Sequence, residues 1–133
     1  MNVDLNAYAQ FVDDVTSQPS RNQDALDDVM MQQAGNFNVP RLLTAGFGLS
    51  SETGEFNEIV KKIMFQGKPF STTTQLHLKK ELGDIQWYWV QACIALGFDP
   101  NQVIAENVLK LQNRYPGGKF DVYLSEHRRP GDL

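Results

Sequence analysis

Four acidic side chains in this sequence have the type and spacing of a metal cage. Glu52 and Glu55 form an E-x-x-E pair, and Glu81 and Asp84 form an E-x-x-D pair a helix–turn–helix length downstream. Residues at i and i+3 share a helix face, so each pair directs its oxygens the same way. If the two segments fold as neighbouring antiparallel helices, four carboxylates converge, and such a cluster repels itself unless a cation sits in it. The ordinary alternative is two solvated faces bridged to Lys61, Lys62, Lys79 and Lys80. Two features favour the cage. The pairs sit within the most apolar helical segments, and Gly54 and Gly83 leave little bulk beside them.

Oxygen-only ligands select Mg2+, with Mn2+ as a substitute, over zinc. A di-iron carboxylate bundle would want Glu-x-x-His pairs, but His77 precedes Glu81 by four and no histidine follows a glutamate by three. Mg2+ keeps several waters and is usually completed by substrate phosphates, which calls for cationic groups nearby. The segment Asn101–Tyr115 spaces Asn107, Lys110 and Arg114 to share one face. Lys62, one or two turns past Glu55, is nearer the Glu55 face than Lys61 is. Both sets are also what an ordinary solvated face carries. Trp87 and Tyr88 lie within one turn of Asp84 and are placed to stack on or border a base, although core packing or a subunit interface is the commoner role for such rings. Asn38 is a further candidate for a base contact.

The elements that must position these residues are helices. Asn2–Gln18 spaces Leu5, Tyr8, Phe11, Val12 and Val15 on one stripe and ends at Pro19; Asp24–Ala34 is a second, shorter helix with Gly35 as its stop. Pro40 suits the first turn of a long helix reaching about Phe65, with Leu42, Leu49, Phe56, Val60 and Ile63 as its apolar stripe. Gly46, Gly48 and Gly54 within it point either to a close approach or to a kink near Gly48. Gln66–Phe70 is a connection, and Ser71 or Thr72 caps a second long helix to about Leu96, with Leu78, Leu82, Ile85, Trp89, Ala92 and Leu96 facing the core. Asp99-Pro100 opens a helix to about Tyr115. After Pro116-Gly117-Gly118 the run K-F-D-V-Y-L reads as an extended segment and the remainder as a loose tail. The expected fold is an all-α bundle of about five helices, two long antiparallel ones at the centre and a short irregular C-terminal tail.

Bulk composition agrees. With 133 residues, 41% apolar and 21% charged, the chain fits one soluble domain, 1–133, its core over about 40–120 and its tail over 121–133. Net charge is −4 and the sequence pI near 5.0, which argues against nucleic acid as a partner. The single cysteine, Cys93, reads as a small buried hydrophobe. The N-terminus lacks a signal-peptide layout and Ile85–Phe98 is too short and too polar to span a bilayer, so no membrane partner and a cytoplasmic location are expected.

Three linked blocks, G-L-S-S-E-T-G-E-F-N-E-I-V-K-K, K-K-E-L-G-D-I-Q-W-Y-W and E-N-V-L-K-L-Q-N-R-Y-P-G-G-K-F, resemble the MazG-type branch of the all-α nucleoside triphosphate pyrophosphohydrolases over about Leu42 to Phe120. The family's E-x-x-E and E-x-x-D hallmark falls on Glu52, Glu55, Glu81 and Asp84, and its N-x-x-K-L-x-x-R-Y-P block on Asn107, Lys110, Leu111, Arg114, Tyr115 and Pro116. Many relatives carry an extra glutamate where this sequence has Ser51. The resemblance implies hydrolysis of a (deoxy)nucleoside triphosphate to monophosphate and pyrophosphate with Mg2+, in a homodimer or homotetramer. In that chemistry Glu52, Glu55, Glu81 and Asp84 hold metal, and Glu52 or Glu55 accepts the proton of the attacking water. Lys62, Asn107, Lys110 and Arg114 contact phosphate or sugar. Alternatives are the same fold acting on dUTP or dUDP, an alarmone or phosphoribosyl-ATP, and a non-catalytic helical module that binds a nucleotide or a protein partner.

Overall fold

Helix boundaries follow the capping residues. In the computed structural model, which describes residues 4–128, the chain forms six α-helices and one 3-10 turn, with no strand among the described residues. It divides into two compact units, 1–40 and 41–133.

In the first unit the Asp4 carboxylate accepts from the N–H groups of Asn6 and Ala7, at 2.9 and 3.3 Å, and so opens α1 (Leu5–Val15). This helix is shorter than the sequence pattern indicated. Thr16 is already extended, and Pro19 lies in the 3-10 turn Gln18–Ser20. Arg21 closes the end of α1: its Nε donates to the Thr16 carbonyl at 2.9 Å and its Nη1 lies 3.4 Å from Asp13 Oδ2. A cation there satisfies last-turn carbonyls and complements the helix dipole. Asn22 then caps α2 (Gln23–Gln33), which contacts the 3-10 turn.

α3 (Val39–Phe65), which lies in the second unit from residue 41 on, carries Pro40 in its first turn and continues without a break through all three glycines. Close approach is the reason for one of them: a Cβ built on Gly48 would overlap the ring of Tyr88, on α4 (Thr72–Leu96). The two long helices thus pack against each other at a point where one has no side chain. Gly48→Ala is expected to cost about 1–3 kcal/mol of overpacking, offset by roughly 1 kcal/mol of better helix propensity. The net is a lowered Tm, recovered when Tyr88→Leu is added; a Tm unchanged in the single variant would contradict this packing.

The turn between the long helices is tied to the end of α3. The Lys62 carbonyl accepts from the N–H groups of both Gln66 and Lys68, at 3.1 and 3.0 Å, and Gly67 between them has a φ of 68°, a left-handed conformation that side chains disfavour. Ser71 then caps α4 by accepting from the Thr74 N–H at 3.2 Å, while the buried Thr74 hydroxyl donates to the Pro69 carbonyl at 3.0 Å. Asp99 and Pro100 open α5 (Pro100–Arg114) as the sequence indicated, the Asp99 carboxylate accepting from Asn101 N–H at 2.8 Å.

The end of the chain differs from the extended segment and loose tail expected. The Asp121 side chain accepts from the Leu124 N–H at 3.0 Å and starts a short α6 (Val122–Glu126), so the second half of that run, Val122 to Leu124, is helical instead. The rest of the tail, 129–133, lies outside the described residues.

Burial differs from the expected stripes in an informative way. Cys93 is buried, as its surroundings indicated, together with Ala45, Thr74 and Ala95, all small. The larger stripe residues of α3, such as Leu49, Phe56 and Val60, are half-buried. On α4, Leu82 is 55% exposed and Leu96 39%. Two packed helices cover only part of each other's apolar surface, and the short α5 and α6 leave the outer part of these stripes open.

Candidate metal centre

The Gly48–Tyr88 contact fixes the register of the two long helices. They are joined by a short turn and packed together, and therefore run antiparallel. Four residues on from Gly48 along α3 is Glu52; four back from Tyr88 along α4 is Asp84. Three further steps in each direction give Glu55 and Glu81. The spacing of the two acidic pairs thus becomes two facing rungs on one seam. In agreement, Glu52, Glu55 and Glu81 each present a carboxylate oxygen within 4.8 Å of the others. Asp84 is not part of that close triad, but its charge acts on Glu52.

The electrostatics show what this convergence does to the carboxylates. Glu52 has its pKa raised above the ordinary 4.5, first by partial removal from water and then by the charges of Glu55, Asp84 and Glu81, with a hydrogen bond to Glu81 acting in the same direction. Every one of these influences disfavours the ionised form. A proton shared between Glu52 and Glu81 relieves the repulsion in part; a divalent cation relieves it more fully, because three oxygen donors at this separation suit a hard ion. The donor set is all oxygen, which fits Mg2+ or Mn2+.

The triad opens into a cleft of about 630 Å³ between α3 and α4. Glu55 and Glu81 line one part of it, beside Ser51 and Gly54. A Cβ on Gly54 or Gly83 would meet nothing within 4 Å, so these glycines leave open space next to the acids. Further along, Glu58, Ile59, Lys62, Lys68, His77 and Lys80 complete the lining. Lys62 enters the cleft, the choice between the two adjacent lysines that helical spacing favoured. Both lysines pair with Glu58: Lys62 Nζ lies 3.3 Å from Oε1, and Lys61 bonds Oε2. These bonds hold the Glu58 pKa below its ordinary value.

Sequence reasoning passed over Glu58 and Lys68. Glu58 was readable, since it extends the E-x-x-E pair by another three residues on the same face. Lys68 was not, because only the fold of the turn brings it to the cleft.

The remaining candidates are not among the residues that line this cleft. Trp87 and Tyr88 stack edge-on, with ring centroids 4.8 Å apart at 87°, and the Tyr88 ring is the one that meets Gly48. Asn107 and Lys110 line a second cavity of about 480 Å³ with Trp89, Val103, Ile104 and Glu106, a set that shares no residue with the acidic cleft. Arg114 lies at the last turn of α5, half-buried. Asn38 belongs to the first unit, just before α3.

An all-helical bundle whose two long helices bring acidic side chains together is a scaffold with the oxygen donors to hold a divalent cation. The family follows: a model of the MazG nucleotide pyrophosphohydrolase domain matches residues 42–118, and the chain belongs to that family. Comparisons with curated proteins and with solved structures return no match.

Proposed function

We propose that this chain hydrolyses (deoxy)nucleoside triphosphates to the monophosphate and pyrophosphate with Mg2+, Mn2+ serving as a substitute. The observation that carries this reading is the convergence of Glu52, Glu55 and Glu81 within 4.8 Å, with Glu55 and Glu81 lining an open cleft that lysines also line, in a chain of the MazG family. Glu52, Glu55, Glu81 and Asp84 are the residues that would hold the ion, and when bound it supplies charge neutralisation at the phosphate oxygens and a more acidic water. The protein's own part is to place and deprotonate. Glu52 or Glu55 accepts the proton of the attacking water. Lys62 offsets charge on the phosphates from within the cleft, Asn107, Lys110 and Arg114 contact phosphate or sugar, and Trp87 and Tyr88 border the base.

The test is product analysis over a panel of ribo- and deoxyribonucleoside triphosphates. Monophosphate plus pyrophosphate is the expected outcome. Diphosphate plus orthophosphate, or turnover that EDTA leaves intact, would overturn the proposal.

The same reading includes self-association as a homodimer or homotetramer. Leu82, Trp87 and Ile94 on α4 are 55%, 53% and 49% exposed, and a long helix that leaves such residues open needs further cover. A monomeric mass by light scattering at micromolar concentration would contradict it. No helix among the described residues is long and apolar enough to cross a membrane.

A further inference from the structure

The cleft is chemically polarised along its length, and no role proposed above uses Lys68 or Lys80. Glu55 and Glu81 lie opposite one another at one end. Lys62 stands seven residues beyond Glu55 on α3, roughly 10 Å along the axis. The backbone bond from Lys68 N–H to the Lys62 carbonyl, 3.0 Å, brings a second ammonium group to that same end. From α4, His77 and Lys80 face the same space. Lys62, Lys68 and His77 thus extend the acidic centre toward the turn, Lys80 stands beside Glu81 where that extension begins, and Glu58 already holds Lys62 at 3.3 Å.

We propose that Lys68 and Lys80, with Lys62, form the subsite for the β- and γ-phosphates, the leaving pyrophosphate, and so orient the substrate with its nucleoside end away from the turn. This rests on the hydrolytic reading above and gives that reaction a direction. Water adds to the α-phosphorus, its proton passes to a carboxylate of the triad, and the α–β bridging oxygen departs on pyrophosphate with the bond's electron pair. The negative charge that develops on that oxygen lies toward the lysines, where preorganised cations stabilise it most. A lysine is suited to this as a mobile point charge on a flexible stem. The same subsite makes the cleft selective for triphosphates, because a diphosphate offers no γ-phosphate to the lysines at the turn end.

The experiment compares wild type with Lys68→Ala, Lys80→Ala and the double variant, using the nucleoside triphosphate that turns over best, its diphosphate, and the two products as inhibitors. The expected result is a KM for the triphosphate raised on the order of tenfold per lysine, the value of one charge-assisted contact. Inhibition by pyrophosphate weakens in parallel, inhibition by the monophosphate is unchanged, and the preference for triphosphate over diphosphate shrinks. Unchanged KM and pyrophosphate inhibition in the double variant, with wild type active and Glu81→Gln inactive, overturns this assignment alone. Equal loss of inhibition by both products also overturns it, since the lysines would then support the whole site. A wild type that hydrolyses no nucleotide overturns the hydrolytic reading and this subsite with it.

Discussion

Glu81→Gln is expected to lower kcat/KM by a hundredfold or more, on the order of the loss when one preorganised charge-stabilising group is removed from a reaction centre, while leaving the metal-free protein at least as stable as wild type. Loss of a carboxylate charge removes one of three oxygens that meet within 4.8 Å, and the amide that replaces it is a weaker ligand for a hard cation. Stability should move the other way. Glu81 contributes to the raised Glu52 pKa both through its charge and through a hydrogen bond, so its charge is a source of strain in the metal-free cluster. Glutamine keeps the size and a hydrogen bond and removes the repulsion. Steady-state kinetics and thermal melts in EDTA check the two halves separately. A variant that loses both activity and Tm would show that Glu81 holds the helices together, which the register of α3 and α4 does not require.

The acidic centre was legible in the sequence because helical geometry converts spacing into placement. Glu52 with Glu55, and Glu81 with Asp84, needed only the rule that i and i+3 share a face, plus one antiparallel pairing. Helix starts were equally readable where a capping side chain announces them, as at Ser71 and Asp99. Three things were not readable. Gly48 gave no sign of which residue approached it, since Tyr88 lies far off in sequence and only the register unites them. Lys68 reached the cleft through a turn whose path depends on the left-handed conformation of Gly67. Asp121 was the third case: a short polar–apolar alternation looks extended until one cap tips it into a helical turn. The stripes were only partly right: Leu82 and Leu96, expected to face the core, are 55% and 39% exposed, because periodicity identifies a face that seeks cover without saying whether this chain supplies it.

Mg2+ should raise the Tm of the protein, and the increment should grow with pH. In the metal-free protein the Glu52 pKa lies above the ordinary 4.5, so the protonated form is favoured in the folded state. The stability this confers is fully present below 4.5 and is lost as pH rises through the raised folded value. Glu58 has the opposite sign: lowered by Lys61 and Lys62, it contributes stability above 4.5 that is lost only as pH falls through its lowered value. The two windows therefore do not overlap, and a decline of the metal-free Tm as pH rises above 4.5 reports the acidic centre. Mg2+ binds the ionised carboxylates, so it competes with the proton at low pH and restores stability at high pH. At a hundredfold excess over its dissociation constant, a ligand specific to the folded state adds about 2.7 kcal/mol, several degrees for a domain of this size. The measurement is a pair of melting series across pH, in EDTA and in Mg2+. Curves that diverge toward alkaline pH are the expected result, and the divergence should vanish in Glu81→Gln. Parallel curves would mean that the ion binds away from the carboxylates of α3 and α4, and the assignment of Glu52, Glu55 and Glu81 as its ligands would fall.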